Sequence, residues 1–230
     1  MFNGKNKALT FSFDDGVEQD KRLIEILNRY NLKSTFNINS ELLGRPGKLV
    51  RETYSVNHNK IAKEEVSELY KGHELAAHTL THPLLTALSE EEIIRQVEED
   101  RKNIEELCGY DVIGMAYPCG GENNDDRVAE IIKNNTKIKY VRTIKSTHSF
   151  DLQDNLYRFN PTVHASKWDK LFELGEEFLK LETEEDKLFY VWGHSYEFDI
   201  DSSWNKFEEF CKMMSNKDDI FYGTNKEVLL

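Results

Sequence analysis

Strand-like and helix-like segments alternate along almost the whole of this 230-residue chain. Apolar residues recur at every second position in short segments, which is typical of strands. Between these segments they recur every three to four residues, which is typical of helices. The predicted strands cover residues 8–13, 33–38, 73–78, 112–117, 138–144, 187–192 and 219–222. The predicted helices cover residues 18–31, 62–71, 89–109, 125–134, 167–181 and 204–215. No linker, repeat or low-complexity tract interrupts the pattern.

This alternation indicates a parallel sheet with helices packed on its outside. We therefore predict a single α/β domain over residues 1–230. A barrel and a doubly wound sheet both fit about seven such alternations. In either architecture, functional side chains lie just beyond the carboxyl ends of the strands.

The chain is acidic, with 42 acidic and 30 basic residues and a net charge of -12. This balance argues against nucleic acid and anionic membrane surfaces as partners, because both require basic patches. The acidic runs 90–92 and 98–100 fall in a predicted helix, and we interpret them as solvent-facing. Cys108, Cys119 and Cys211 form no Cys-x-x-Cys pair, so we interpret them as reduced thiols.

No apolar signal region follows Met1, and no run of about 18 apolar residues could span a bilayer. As given, the chain is expected to be cytoplasmic.

Two pairs of chemically active residues follow predicted strands. Asp14 and Asp15 come directly after the first strand, and His78 and His82 follow the third. Helix capping would explain one of the aspartates. It does not explain two, because adjacent carboxylates repel each other unless a cation compensates. Two imidazoles and one carboxylate suit a borderline-soft divalent metal, which leaves one carboxylate to move a proton. This inventory indicates metal-assisted hydrolysis.

A third histidine, His194, follows the strand predicted at 187–192. A lone histidine is usually structural, but the position of this one at a strand end makes it a candidate general acid. His164 is a weaker candidate, for contact with substrate.

The chain resembles the polysaccharide deacetylase family, carbohydrate esterase family four. Four motifs of that family occur here in the family's order, within residues 10–194. They are Ser-Phe-Asp-Asp-Gly at 12–16, His-Thr-Leu-Thr-His at 78–82, Ala-Tyr-Pro-Cys-Gly at 116–120 and Trp-Gly-His at 192–194. The first two are specific, and the last two are altered forms of Arg-x-Pro-Tyr-Gly and Leu-x-His.

The resemblance implies an irregular (β/α) barrel of about seven parallel strands. It also implies that Asp15, His78 and His82 hold the metal, that Asp14 is the general base and that His194 is the general acid.

The third motif implies an oxyanion hole. Its donor would be the backbone N–H of Cys119, and Tyr117 and Pro118 would lie beside it against the substrate.

The implied reaction is hydrolysis of an acetyl group from an N-acetylated or O-acetylated carbohydrate by metal-activated water. The ligand set suits Zn²⁺, with Co²⁺, Ni²⁺ or Fe²⁺ as alternatives. Two other functions fit the same scaffold. One is hydrolysis of another small amide or ureide, and the other is carbohydrate binding without catalysis.

The chain departs from the family at Ala116, where an arginine usually orients the catalytic aspartate. Arg142, in the next predicted strand, is our candidate for the missing charge, on the basis of strand adjacency. Trp192 and Trp204 are candidate walls for the substrate. Glu197, in the run after His194, fits a loop turn and a site role equally well.

Overall fold

A computed structural model describes residues 2–230 of the chain. In this part of the chain, the strands are β1 Lys7–Asp14, β2 Ser34–Ile38, β3 Lys48–Val50, β4 Ser55–Asn57, β5 Glu74–Ala77, β6 Gly114–Ala116, β7 Tyr140–Arg142, β8 Val163–His164, β9 Lys187–Gly193 and β10 Ile220–Tyr222. The helices are α1 Asp20–Arg29, α2 Val66–Leu69, α3 Glu90–Cys108, α4 Asp126–Asn135, α5 Trp168–Lys180, α6 Glu197–Ile200, α7 Trp204–Met214 and α8 Asn225–Leu229.

Seven strands pair in parallel in the order β7-β6-β5-β2-β1-β9-β8, and β10 also pairs with β1. This sheet curls until its two edges approach each other: Phe159, shortly before β8, makes a parallel bridge to Arg142 in β7. The result is an irregular (β/α) barrel, which confirms the predicted fold class. Strands β3 and β4 form a separate antiparallel hairpin.

Strand β1 is central, and all eight of its residues are buried. Its alternation separates two environments. Phe11 and Phe13 pack edge-on against Phe207 of α7, in the layer between the sheet and the helices. Ser12 and Asp14 point the other way, into a polar interior where both meet Arg142. The period-two pattern of β1 therefore places Asp14 inside the barrel.

Several predicted helices end where the sequence indicates. Helix α3 begins after Ser89, whose hydroxyl accepts a hydrogen bond from the Glu92 N–H at 3.3 Å. It ends at Gly109, which has the left-handed φ of 76° that glycine adopts easily. Every helix in residues 2–230 is too short or too polar to traverse a lipid bilayer.

Three expectations need correction. The helix predicted at 62–71 is a 3₁₀ turn followed by the single turn α2. The β3–β4 hairpin was not predicted, because strands of three residues are too short to show a period. Asp100, expected on a solvated helix face, is fully buried. Its carboxylate accepts hydrogen bonds from the N–H groups of Ser40 and His78. This acidic side chain therefore holds the main chain in place where β2 and β5 end.

Candidate active site

The strand ends converge as predicted. Asp14 is the last residue of β1, and His78 and His194 directly follow β5 and β9. A cleft of about 610 Å³ opens at this end of the barrel. Its lining includes Asp14, Asp15, His78, His82, Tyr117, Cys119, Trp192 and His194.

Tight turns present these side chains. Asp15, Thr79, His82 and Cys119 all have positive φ, between 61° and 85°. Such backbone costs about 1–3 kcal/mol per residue and occurs preferentially at functional sites. Gly16 also has a positive φ, of 60°, and a Cβ there would lie 2.9 Å from Cγ2 of Ile38. The turn therefore requires glycine at position 16.

Asp15, His78 and His82 form a three-ligand group. Each offers one ligand atom, and these atoms lie within 4.8 Å of one another. Nδ1 of His78 lies 2.9 Å from the carbonyl of Ala116. A carbonyl only accepts hydrogen bonds, so Nδ1 carries the proton and Nε2 keeps its lone pair for a metal. Burial lowers the pKa of His78 to about 4, which keeps it neutral. These residues fit a divalent cation.

A cation of the protein lies beside the same carboxylate. The ammonium group of Lys60 donates to the main-chain oxygen of Asp15 at 2.6 Å and to its Oδ1 at 3.2 Å. Nε2 of His58 lies 3.3 Å from Oδ2. Burial alone would raise the pKa of Asp15, but Lys60 and His58 hold it well below its usual value. Asp15 is therefore an anionic ligand.

Asp14 lines the same cleft but pairs with Arg142. Nη2 of Arg142 donates to both carboxylate oxygens, at 2.5 Å for Oδ1. Nδ2 of Asn37 donates to Oδ1 at 2.8 Å. Burial opposes ionisation, but Arg142 lowers the pKa of Asp14 below its usual value. The guanidinium thus lies where the strand-adjacency hypothesis expects it, and Asp14 is ionised and held in one orientation.

His194 lies across the cleft from Asp14, with 4.0 Å between Nε2 and Oδ2. Its Nδ1 lies 3.4 Å from Glu197 Oε1, and the other Glu197 oxygen lies 3.4 Å from His164 Nε2. Burial alone would lower the pKa of His194, but Glu197, Asp15 and Asp14 raise it to about 9. Glu197 begins helix α6 rather than lying in a loop, and it lies behind the imidazole.

The third motif forms the turn after β6. The backbone N–H of Cys119 points to Nε2 of His82 at 3.4 Å, and so towards the three-ligand group. Nδ2 of Asn123 holds this turn by donating to the carbonyls of Tyr117, Pro118 and Cys119. The hydroxyl of Tyr117 is used structurally, since it donates to the carbonyl of Tyr157 at 2.8 Å.

The two candidate tryptophans differ in their placement. Trp192 lines the cleft, and the guanidinium carbon of Arg142 lies 4.4 Å from the centre of its ring. Trp204 lies in the core, because α7 turns this side chain against Phe198, and its Nε1 donates to Asp199. Trp204 does not wall the cleft.

Sequence reasoning missed Lys60, His58, Asn37 and Asp100, all of which touch site residues. Lys60 and His58 are brought in by the unpredicted hairpin, and no spacing marks them. Asn37 carried one signal, as an amide near the carboxyl end of the buried strand β2.

The sequence profile described as Polysaccharide deacetylase matches residues 3–139, more than half of the chain. The chain belongs to this family. It is 30% identical over 130 residues to the peptidoglycan-N-acetylglucosamine deacetylase PgdA of Listeria monocytogenes. This match covers 55% of this chain and 24% of PgdA. It is 33% identical over 122 residues to chitin deacetylase 1 of Cryptococcus neoformans, covering 52% of this chain and 22% of that protein. The matches thus span about a quarter of the length of these curated relatives.

Solved structures agree on the fold. The peptidoglycan deacetylase PdaC of Bacillus subtilis superposes with a TM-score of 0.59 at 19% identity, covering 97% of this chain and 90% of that one. A pseudoenzyme of the same family from Bacillus anthracis, BA3943, superposes with a TM-score of 0.59 at 18% identity, covering 98% of this chain and 66% of that one. At these identities the likeness is one of fold alone.

Proposed function

We propose that this protein is a metal-dependent hydrolase that removes acetyl groups from N-acetylated or O-acetylated carbohydrate. One observation carries the proposal. A spare carboxylate, Asp14, and an imidazole, His194, face each other 4.0 Å apart beside the three-ligand group. Hydrolysis of an amide needs both partners, a base for the attacking water and an acid for the leaving nitrogen.

Asp15, His78 and His82 would hold the metal, and two imidazoles with one carboxylate suit Zn²⁺, with Co²⁺, Ni²⁺ or Fe²⁺ as alternatives. When bound, such an ion supplies Lewis acidity to the acetyl carbonyl and to a water molecule.

Asp14 accepts the proton of the attacking water. Its carboxylate is ionised, and Arg142 and Asn37 fix its orientation without taking part in metal binding. The arginine also prevents the buried carboxylate from becoming protonated, which would abolish its function as a base.

His194 donates a proton to the leaving nitrogen or oxygen. Oε1 of Glu197 lies 3.4 Å from Nδ1 on one side of the ring, and Nε2 lies on the other side, 4.0 Å from Oδ2 of Asp14. The backbone N–H of Cys119 donates to the developing oxyanion, an interaction commonly worth about 3 kcal/mol. Trp192 forms an apolar wall.

The test is acetate release from chito-oligosaccharides by purified protein loaded with Zn²⁺. We expect turnover that is lost on chelation and restored by adding Zn²⁺. A cyclic amide and a ureide serve as parallel substrates. Turnover of these without any acetate from a sugar would reject the carbohydrate substrate. Binding of sugar without turnover of any substrate would indicate a non-catalytic relative, as BA3943 is named.

A further inference from the structure

The β3–β4 hairpin forms one side of the cleft and lies outside the parallel sheet. Main-chain hydrogen bonds join its two ends. The His58 N–H donates to the Gly47 carbonyl at 2.9 Å, and the Lys60 N–H donates to the Arg45 carbonyl at 3.0 Å. Arg45 is thereby held next to Lys60, which contacts Asp15. Arg51, at the far end of β3, lines the same cleft.

Neither of these arginines pairs with a carboxylate in residues 2–230. Arg51 donates to the carbonyl of Val50 at 3.1 Å, and Arg45 contacts no acceptor through its side chain. Five of the nine arginines pair with a carboxylate, and they are Arg29, Arg95, Arg101, Arg142 and Arg158. Of the other four, Arg22 lies over the ring of Trp204, and Arg127 donates to the carbonyls of Thr86 and Leu88. Within residues 2–230, Arg45 and Arg51 are the two arginines that both line the cleft and lack a carboxylate partner.

The acidic residues of the cleft do not use this charge. Asp14 is neutralised by Arg142, and Asp15 is paired with Lys60. Arg45 and Arg51 are exposed and free to bind a ligand. A guanidinium group presents a planar fork of donors that matches a carboxylate or a phosphate. With a net charge of -12, the protein repels anions at long range, so a local cationic wall is what would admit one.

We propose that Arg45 and Arg51 bind an anionic substituent, a carboxylate or a phosphate, on the acetylated carbohydrate, and so make the enzyme selective for acidic sugars. The proposal rests on the deacetylase function proposed above. It assigns the hairpin a role in specificity and no part in the chemical step.

The experiment compares three matched substrates. They are the trisaccharide of N-acetylglucosamine, the same trisaccharide with one hydroxymethyl group oxidised to a carboxylate, and the same one phosphorylated at that position. We expect kcat/KM to be about fivefold higher for an anionic sugar than for the neutral one, as for a charge-assisted contact at an exposed site. The preferred anionic sugar identifies the group. The preference should fall as ionic strength rises, because exposed charges are screened.

The double variant Arg45→Gln/Arg51→Gln should lose this preference. Arg29→Gln is the matched control, because Arg29 is exposed at the distal end of α1 and pairs with Glu208; it should keep the preference. Equal kcat/KM for all three sugars, or a preference that survives in the double variant, overturns the proposal.

Calorimetric binding of the same three sugars separates the two proposals. If no sugar releases acetate, the deacetylase function fails. Tighter binding of the anionic sugars, lost in the double variant, would still support the role of the arginines. Equal binding of all three would overturn that role as well.

Discussion

Arg142 in β7 and Asp14 in β1 are separated by three strands in the sheet, yet Nη2 of the arginine donates to both carboxylate oxygens of the aspartate. Ala116 in β6 is the register partner of Arg142 in the adjacent strand. In the family motif that resembles residues 116–120, the arginine stands at the position of Ala116. We infer that the charge has moved one strand along the curled sheet while its target has stayed the same.

Moving the arginine back tests this relationship. Arg142→Ala should lower acetate release by about 10²-fold, because a displaced base attacks poorly. It should also lower the free energy of unfolding by about 3–5 kcal/mol, because Asp14 is left buried without its partner. Adding Ala116→Arg to this variant should restore part of both losses. Acetate assays and urea denaturation measure the two effects, with Arg142→Lys as the variant that retains charge without the fork. Full activity of Arg142→Ala contradicts the positioning role.

The two adjacent aspartates should separate metal binding from catalysis. Asp14→Asn should keep bound metal near the wild-type stoichiometry while acetate release falls by about 10²–10⁴-fold, since it removes only the base. Asp15→Asn should lose metal, because it removes one of three ligands. Elemental analysis of the purified variants gives the metal content. Loss of metal from Asp14→Asn with retention in Asp15→Asn would reverse the assignment.

Glu197 should set the pH at which kcat/KM declines on the alkaline side of its profile. His194 must be protonated to act as an acid, so kcat/KM falls as the pH rises through its pKa, about 9. Glu197, Asp15 and Asp14 face this imidazole as anions, and His164 contacts the far side of Glu197. Glu197→Gln removes the largest of the charges that raise this pKa, so the alkaline limb should move to lower pH.

Asp199→Asn is the control for that shift. Asp199 lies in the same helix, α6, but its carboxylate accepts hydrogen bonds from Trp204 and Gln19 rather than from His194. Its pH profile should match that of the wild type. If the alkaline decline of kcat/KM occurs at the same pH in Glu197→Gln as in the wild type, the protonation of His194 does not control the rate.

Asp20 should make stability depend on pH. Burial raises its pKa to about 7, even though Ser195 and Tyr70 donate hydrogen bonds to it. Between about pH 4 and about pH 7 the folded state therefore holds a proton that the unfolded state releases. By itself, this proton makes the free energy of unfolding fall as the pH rises through this window, by at most about 1.4 kcal/mol per pH unit. His73, His78 and His164, whose pKa burial lowers to about 4, contribute with the opposite sign.

Asp20→Asn should remove this contribution, so its free energy of unfolding should change with pH less negatively than that of the wild type, as measured by urea denaturation from pH 4 to pH 7. Asp111→Asn, at an exposed position before β6, should leave the slope unchanged. A wild-type slope in Asp20→Asn would show that other groups carry the dependence.

Much of the site followed from local pattern. The carboxyl ends of parallel strands meet at one end of a barrel, so residues that directly follow strands are brought together whatever the detailed packing. This rule placed Asp14, Asp15, His78 and His194 in one cleft. Glycine punctuation and capping likewise located the ends of α3.

The residues that support the site from outside the strand ends could not be predicted from the sequence pattern. Asp100 is seen in sequence only as part of an acidic run, and its burial depends on which face of α3 meets the sheet. Lys60 reaches Asp15 because a hairpin of two three-residue strands folds over the cleft. Glu197 reaches His194 because the chain turns directly into α6.

The sequence by itself determined the alternation of strands and helices and the gathering of Asp14, Asp15, His78 and His194 at one end of the sheet, while the resemblance of its motifs to a known family implied the barrel and the three ligands. These depend on period and on short motifs, which are local. Only the tertiary structure decided which cations meet the two aspartates and which arginines remain unpaired. Those contacts depend on the curl of the sheet and the path of the hairpin, and both are set by packing between residues far apart in the chain.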